Sequence, residues 1–536
     1  MPNATPSRVV IVGGGLAGLA SAVELASRGV RATLIERNAH LGGKMNVLSD
    51  QGFTFDMGPT IITLPNVLRG IIRRAGRRPE DLIDLVDLDP QWRCFYDDRT
   101  VIDLRSDVVA MARALDAQFP GTGAGNGYAN FLAYSRRMMR LSDKVFYFRD
   151  LGGIPDLMRM PPARDPGLLA DVAAMRLHST VGATAHGMIA EPHVRQLVEH
   201  FLQYVGSSPF LAPAILSLIA AAQTDHGCWY PMGGTRMVAR TLEQLAGDLG
   251  VDIRTGTGVK RLVSEGKRIT GVVLDSGETI LAEAVVSNCD VQRTYRDLLG
   301  DARSAHEQGA IAHKYTPACS GVVLYLGLNR QYDHLAHHNF LFSGSSKSEF
   351  GDIYTRGVPA QDPTLYLAVP SRTDPAQAPE GCEALYVLIH TPYLRPGQRW
   401  DGPGGMLDAY RPTIMRKLRE CGGMPDIEER IVVERALTPA GIERMYNAEG
   451  GAIYGLASHG RLHGGFKPRN RSRVFRNLYL AGGSANPGPG VPMVLMSGVT
   501  AAMCAAEDLG VPVSWSDVTL GPPERCPNRT PQLTTT

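Results

Sequence analysis

Apolar positions near the start of the chain fall into runs of two kinds. Val9-Val10-Ile11-Val12 is unbroken and β-branched, as a strand buried on both faces of a parallel sheet requires. Leu16 to Arg28 is rich in alanine and leucine and predicts a helix, and Arg31 to Ile35 predicts a second strand. Further on, "GVDIRTGTGVKRLV" and "RITGVVLDSGETILAEAVVSN" alternate and break at glycines, the pattern of short strands joined by turns. Residues 89–226 follow a mostly helical period, and 291–450 mix helices with strands such as Ser320 to Gly327 and Leu365 to Val369. A last strand runs into Gly482-Gly483, and a helix follows with Pro492 suited to its first turn. No internal repeat is visible. The fold class is α/β.

Two stretches break this rhythm. Phe201 to Thr224 contains no charged residue. It reads as a core helix after a proline-punctuated turn, as a membrane-dipping mouth for a lipid, or as a span; Gln203, Pro209 and Pro213 argue against the span. "KVFYFRDLGGIPDLMRMPP", Lys144 to Pro162, mixes aromatic, methionine and basic residues, which suits an interfacial patch as well as lid or core packing.

The glycines after the first strand carry chemistry. Gly13, Gly15 and Gly18 stand in G-x-G-x-x-G register: one for the tight turn, one for approach of a pyrophosphate to the backbone, one for close packing of helix on strand. The helix N-terminus then faces the phosphates. Glu36, 18 residues beyond Gly18, ends the second strand where a carboxylate binds ribose hydroxyls. A dinucleotide is expected; this motif alone leaves NAD and FAD both open.

The continuation "HLGGKMNVLSDQGFTFDMGPTII", from His40 to Ile62, resembles the FAD superfamily of amine oxidases and carotenoid desaturases. The resemblance implies that Gly43, Lys44, Gly58 and Pro59 lie near the cofactor, with Lys44 where the family usually has arginine, so a point charge replaces a fork of donors. "NLYLAGGSANPGPGVPMVLMSGVTAA", Asn477 to Ala502, resembles the C-terminal flavin motif of bacterial phytoene-desaturase-type enzymes. It implies that Gly482, Gly483, Gly490, Val491, Pro492 and Met493 meet the flavin, whose reduced anion a helix N-terminus would stabilise. It also sets Val259 at the adenine end. Leu202 to Ile219, Gly227 to Ile253, Val285 to Leu299 and Tyr325 to Ser343 resemble that family in order and spacing, so the likeness extends from about Val9 to Leu509.

The resemblance implies a Rossmann-like FAD-binding domain interleaved with a mixed α+β substrate domain. The FAD half is expected from 8–88, 227–290 and 451–510, and the substrate half from 89–226 and 291–450. Residues 511–536 read as a disordered tail.

Composition narrows the partners. The 55 basic residues against 53 acidic leave a net charge of +2, which gives no electrostatic case for nucleic acid. Eight cysteines are scattered singly, with no metal-ligand spacing, and read as idle thiols. No basic run leads into an apolar core at the N-terminus, so no signal peptide is expected.

The expected function follows from the resemblance: an FAD-dependent carotenoid desaturase that forms C=C bonds in a linear polyene drawn from the bilayer. "GGAIYGLASHGR", Gly450 to Arg461, and "PGVPM" resemble enzymes that act on already-desaturated or end-modified carotenoids, 3,4-desaturases and terminal-methyl oxidases among them, and a late step such as 3,4-desaturation is favoured. The alternatives are a terminal-methyl carotenoid oxygenase of the same family, a flavin oxidase or saturase on another lipid, and a non-enzymatic prenyl-lipid carrier. The protein is expected to be cytoplasmic and peripheral on the inner face of the cell membrane. No catalytic residue is assigned. His226, His337, His338 and Asp56 are candidates for acid–base work, Asp56 also for bracing the FAD turn, and Phe340, Trp229 and Tyr230 for lining the groove or packing the core.

Overall fold

The computed structural model describes residues 9–158 and 174–523. Its centre is a parallel sheet whose strands come from widely separated stretches, in the order Leu478–Leu480, Ala284–Ser287, Val9–Val12, Ala32–Ile35 and Asp252–Arg254. Val9–Val12 lies in the middle and is buried throughout, which is why it needs four apolar residues in a row. The helix Leu16–Ala26 covers one face and packs against the helix Val491–Asp508. Their backbones touch at one point. A Cβ added to Gly498 would lie 2.2 Å from the Ala17 carbonyl oxygen.

An antiparallel meander, Val259–Glu265, Arg268–Leu274 and Thr279–Leu281, turns at Gly266 and Gly277, both with positive φ. It packs on the other face of the parallel sheet.

A second sheet of seven strands faces the C-terminal ends of the first. Its order is Ile431–Leu437, Ser320–Leu328, Glu383–Thr391, Leu365–Ala368, His338–Leu341, Trp92–Phe95 and Val101–Leu104. The pairs are antiparallel except His338–Leu341 with Trp92–Phe95. Alternation sorts its two faces. Leu324, Leu365, Leu385 and Val387 pack outward against the helix Met406–Glu420. Val323, Phe340, Tyr366 and Tyr386 point the other way, toward the parallel sheet. The stretch 89–226 is therefore helical only after its first two strands, which join this sheet.

Phe201 to Thr224 folds as two 3-10 turns, Phe201–Val205 and Ala214–Ser217, followed by the helix Leu218–His226. Pro209 and Pro213 sit between the turns, where they remove donors from a continuous helix. Among the described residues no helix is long and apolar enough to cross a membrane. In the 144–162 stretch, Val145, Tyr147 and Phe148 are buried and Phe146 packs on Phe466, so this part is core; Arg159 to Pro162 lie outside the described residues.

The expected tail needs correction over 511–523. Val518 and Leu520 are buried in the main hydrophobic core, with Val511, Val513 and Trp515 packed against it. Asn66 donates to the Pro522 carbonyl. Alternate apolar residues in a Pro/Thr-rich segment suffice to seat it. Residues 524–536 lie outside the described range.

Candidate functional site

A cavity of about 620 Å³ opens where the parallel strands end and the seven-stranded sheet begins. Ends of parallel strands are where such folds place ligands, because the helix N-termini converge there. Every residue that the sequence motifs single out for the cofactor lines this cavity, with one exception: Gly13, Gly15, Glu36, Gly43, Lys44, Gly58, Pro59, Val259, Gly482, Gly483, Gly490, Val491, Pro492 and Met493. Gly18 stands behind it. A Cβ there would sit 2.0 Å from the Gly13 carbonyl oxygen, so the residue lets the helix close on the strand.

The local geometry fits a dinucleotide. Gly13 has φ +97° and turns the chain out of the first strand. The helix Leu16–Ala26 starts at Gly15 with no side-chain cap and no acid in its first turn, so its leading N–H groups are left for a ligand. Gly43 closes over Gly15; a Cβ on Gly43 would be 3.2 Å from the Gly15 Cα. Glu36 accepts from the Gly14 and Asn38 amides, each at 2.8 Å, through different oxygens. A carboxylate accepts about four hydrogen bonds, so about two places remain for ribose hydroxyls. Glu36→Ala strands the Gly14 N–H and removes those acceptors. FAD affinity should fall by ~1–3 kcal/mol, about 5- to 150-fold, read by flavin retained after dialysis; unchanged retention would remove Glu36 from the site.

The helix Val491–Asp508, whose first residues also line the cavity, likewise starts without a side-chain cap. Gly490 has φ +106°, which reserves the position for glycine. Gly482, with φ +110°, bends the last strand toward it and donates from its amide to Ser497 Oγ at 3.1 Å.

Lys44, like Glu36, is a cofactor candidate whose side chain is already engaged by the protein. Its Nζ donates to the Ala452 and Ile453 carbonyls at 3.0 and 2.7 Å. Burial lowers its pKa to about 8, against the pull of Asp290. It thus ties the Gly42-Gly43 turn to the 451–455 segment while its aliphatic stem lines the cavity.

Asn288 carries no motif, and nothing in the sequence singles it out. It follows the strand Ala284–Ser287, donates to the Gly13 carbonyl at 3.2 Å and faces Gly15, Gly18 and Gly482. It bridges the first glycine turn and the last. Its place at a parallel strand's C-terminal end is the signal that could have found it.

The inner half of the cavity is apolar and aromatic. The seven-stranded sheet contributes Phe340, Tyr366, Tyr386 and Leu388; the charge-free interval contributes Tyr204, Ile215, Leu218 and Ile219. The uncharged run is a cavity wall. Of the aromatic candidates Phe340, Trp229 and Tyr230, only Phe340 is here, since Trp229 and Tyr230 are buried in a strand against Leu85–Asp87.

None of the three candidate histidines lines the cavity. His226 lies at the end of a helix, where its carbonyl accepts from Trp229 Nε1 at 2.6 Å. His337 Nδ1 is 2.6 Å from Thr373 Oγ1, and His338 Nδ1 is 2.9 Å from the Tyr366 hydroxyl, which screens it. Asp56 accepts the Thr235 amide at 2.8 Å and fixes the turn before the helix Met237–Asp248; burial raises its pKa to about 6. The histidines that do face the cavity are His200 and His390. Burial holds both neutral: His390 is lowered to about 4, and His200 well below its usual range.

The family model of flavin-containing amine oxidoreductases matches residues 16–506. A 4,4'-diapolycopene oxygenase of a Methylomonas species is 36% identical over 491 residues, 92% of this chain and 96% of the relative. A 4,4'-diaponeurosporene oxygenase of Staphylococcus haemolyticus is 37% identical over 491 residues, 92% and 95% of the two chains. Among solved structures, an oxidoreductase from Methanosarcina mazei superposes with a TM-score of 0.60 at 16% identity, covering 92% of this chain and 99% of that one. Wild-type putrescine oxidase bound to putrescine gives 0.58 at 14% identity, covering 92% and 98%. At those identities the likeness concerns the fold.

Proposed function

The chain belongs to the flavin-containing amine oxidoreductase family and is an FAD-dependent oxidoreductase, and on that premise we propose that it oxidises the terminal methyl end of a linear carotenoid. The observation that carries the reading is where charge stops in the cavity. Among the described residues Glu36, Arg37, Lys44, Asp275 and Asp290 are its charged lining residues, and all belong to the nucleotide half. The inner half presents rings, aliphatic side chains and neutral histidines. A cationic amine would find no carboxylate there to replace its lost hydration. A polyene loses nothing on entry and gains burial.

Bound FAD supplies a two-electron acceptor. The chain's own residues supply position and field. The uncapped start of the helix Val491–Asp508 presents N–H groups and the positive end of its dipole to the cavity. Phe340, Tyr366 and Tyr386 offer flat faces against which a conjugated chain can stack. His200 and His390, held neutral, suit a substrate whose conjugation spreads positive charge and which needs only a weak proton acceptor.

The names of the two relatives favour oxygenation; the likeness of Gly450 to Arg461 to late-acting carotenoid enzymes covers 3,4-desaturases and terminal-methyl oxidases alike. Pigment analysis separates them. When the gene is expressed in bacteria making linear carotenoids, terminal oxidation replaces a methyl C–H by C–O, with water as the oxygen source and the two electrons passing to FAD, whereas desaturation removes hydrogen and lengthens conjugation without oxygen. Terminal aldehydes or alcohols are the expected products. Unchanged pigments across linear precursors would sink the reading.

The same reading makes the protein a peripheral partner of the membrane's inner face, since its substrate dissolves in the bilayer. Leu177, Leu211 and Leu462 support it. They are 46%, 41% and 52% exposed. Their segments are joined by hydrogen bonds from Val181 to Ala212 and from Gly460 to Leu211, next to the cavity wall at Ile215 and Leu216. The protein should sediment with liposomes and be released by alkaline wash. Replacing the three leucines by serine should lower the partition coefficient about a thousandfold or more, each fully buried leucine contributing ~1.5–3 kcal/mol; undiminished sedimentation would exclude this patch.

A further inference from the structure

The turn that follows the helix Pro192–His200 carries polar groups that the apolar half of the cavity does not explain. His200 and Gln203 are three residues apart across the start of the 3-10 turn Phe201–Val205, so their side chains share a face. They are 5% and 3% exposed, and both line the cavity. Neither the Gln203 amide nitrogen nor its oxygen has a hydrogen-bond partner, and His200 Nε2 has none. Their neighbour Tyr204 is different: its hydroxyl lies 2.5 Å from Gln223 Oε1 and accepts from Trp92 Nε1 at 3.0 Å. The same turn thus satisfies one polar group internally and leaves two unpaired in residues that line the cavity.

Buried polar groups in native proteins are almost always paired, because an unpaired one is destabilising. A leucine and a phenylalanine of the same shapes would seal an apolar wall without that cost. A hydrocarbon entering the cavity could pair with neither group. A hydroxyl or carbonyl could pair with both, because the amide offers a donor and an acceptor side by side. The location is apt. The Tyr204 carbonyl oxygen lies 3.9 Å from the Cβ position of Gly490, at the helix start facing the cofactor half. The turn that carries the pair therefore passes the helix start beside the proposed flavin site.

We infer that His200 and Gln203 clamp an oxygen atom at the end of the polyene and set the preference for an oxygenated substrate over its parent hydrocarbon. This rests on the reading of the substrate as a linear polyene. It adds to that reading which residues meet its end and which chemical state of the end they prefer.

The test uses the holoenzyme and two variants that keep shape, Gln203→Leu and His200→Phe. The phenylalanine would stay within the aromatic cluster of Trp92, Phe340 and Phe342 that now holds the imidazole. Two probes of equal length, a linear polyene alcohol and the matching hydrocarbon, are titrated in detergent micelles, with binding followed by the polyene absorption band. Turnover of each is measured separately. Wild type should bind the alcohol more tightly. In each variant the alcohol-to-hydrocarbon affinity ratio should fall about tenfold or more, with KM for the alcohol rising more than kcat falls. An unchanged ratio, or equal loss for both probes, would overturn the clamp. So would a shifted flavin absorption band in Gln203→Leu before any probe is added, since the amide would then serve the cofactor. Preferential binding of the alcohol without conversion of either probe would leave the clamp standing and remove the proposed reaction instead.

Discussion

Gly15→Val should yield a folded protein that carries no flavin. The backbone at this position, φ −69° and ψ 178°, is extended and open to valine. The new Cβ would approach Asn288 Nδ2 at 2.7 Å, the far end of a side chain that can swing aside. Folding should therefore lose only about 1–3 kcal/mol, the usual cost of overpacking. The isopropyl group has nowhere to go but the cavity, into the gap that Gly43 closes. The pyrophosphate would need that volume and the N–H groups behind it. An affinity loss of about 100-fold or more is expected, ~3 kcal/mol. Flavin absorbance after dialysis and a thermal melt on the same sample check both halves of the claim. Full flavin retention would show that the glycine turn does not hold the cofactor.

Gly498→Ala should reverse a familiar sign. In an exposed helix interior the exchange stabilises by about 1 kcal/mol. Here the added methyl would lie 2.2 Å from the Ala17 carbonyl oxygen and 2.9 Å from its carbon. Those atoms are backbone within the helix Leu16–Ala26, so the two helices must separate. The crossing is also pinned by Ser21, whose hydroxyl donates to the Gly498 carbonyl at 2.8 Å. A shift would break that bond and displace the start of Val491–Asp508 from the cavity. We expect a loss of ~2–4 kcal/mol, from overpacking plus the hydrogen bond, and weaker flavin binding in parallel. A melting temperature equal to or above wild type would show that the helices have room to spare.

Comparing these glycines separates what is local from what is not. Gly15 sits in a strand, turn and helix contiguous in sequence, and its motif spells out the geometry. Gly498 looks like any helical glycine, and its requirement comes from the carbonyl of Ala17, at the far end of the chain.

The same division runs through the site. The α/β class and the dinucleotide turn were legible, because each depends on a few adjacent residues, a β-branched run and a glycine able to take positive φ; FAD rather than NAD was legible only through the resemblance to flavin enzymes. The uncharged interval from Phe201 to Thr224 was legible as a pattern, but its destination was not. Pro209 and Pro213 exclude one long helix, and only the facing sheet turned the remaining pieces into a cavity wall. His226, His337 and His338 sat in family-like segments, yet Tyr366 screens one and the others pack elsewhere. His200 gave no signal, Gln203 spoke only against a membrane span, and Asn288 was marked only by its place after a parallel strand, since a lone polar residue reads the same whether it faces water, core or ligand. By itself the sequence determined what is set by covalent neighbours, because φ, ψ and periodicity act within a few residues. The tertiary structure decided which side chains meet in the cavity, because burial and pairing depend on strands and helices that the chain brings together from distant stretches.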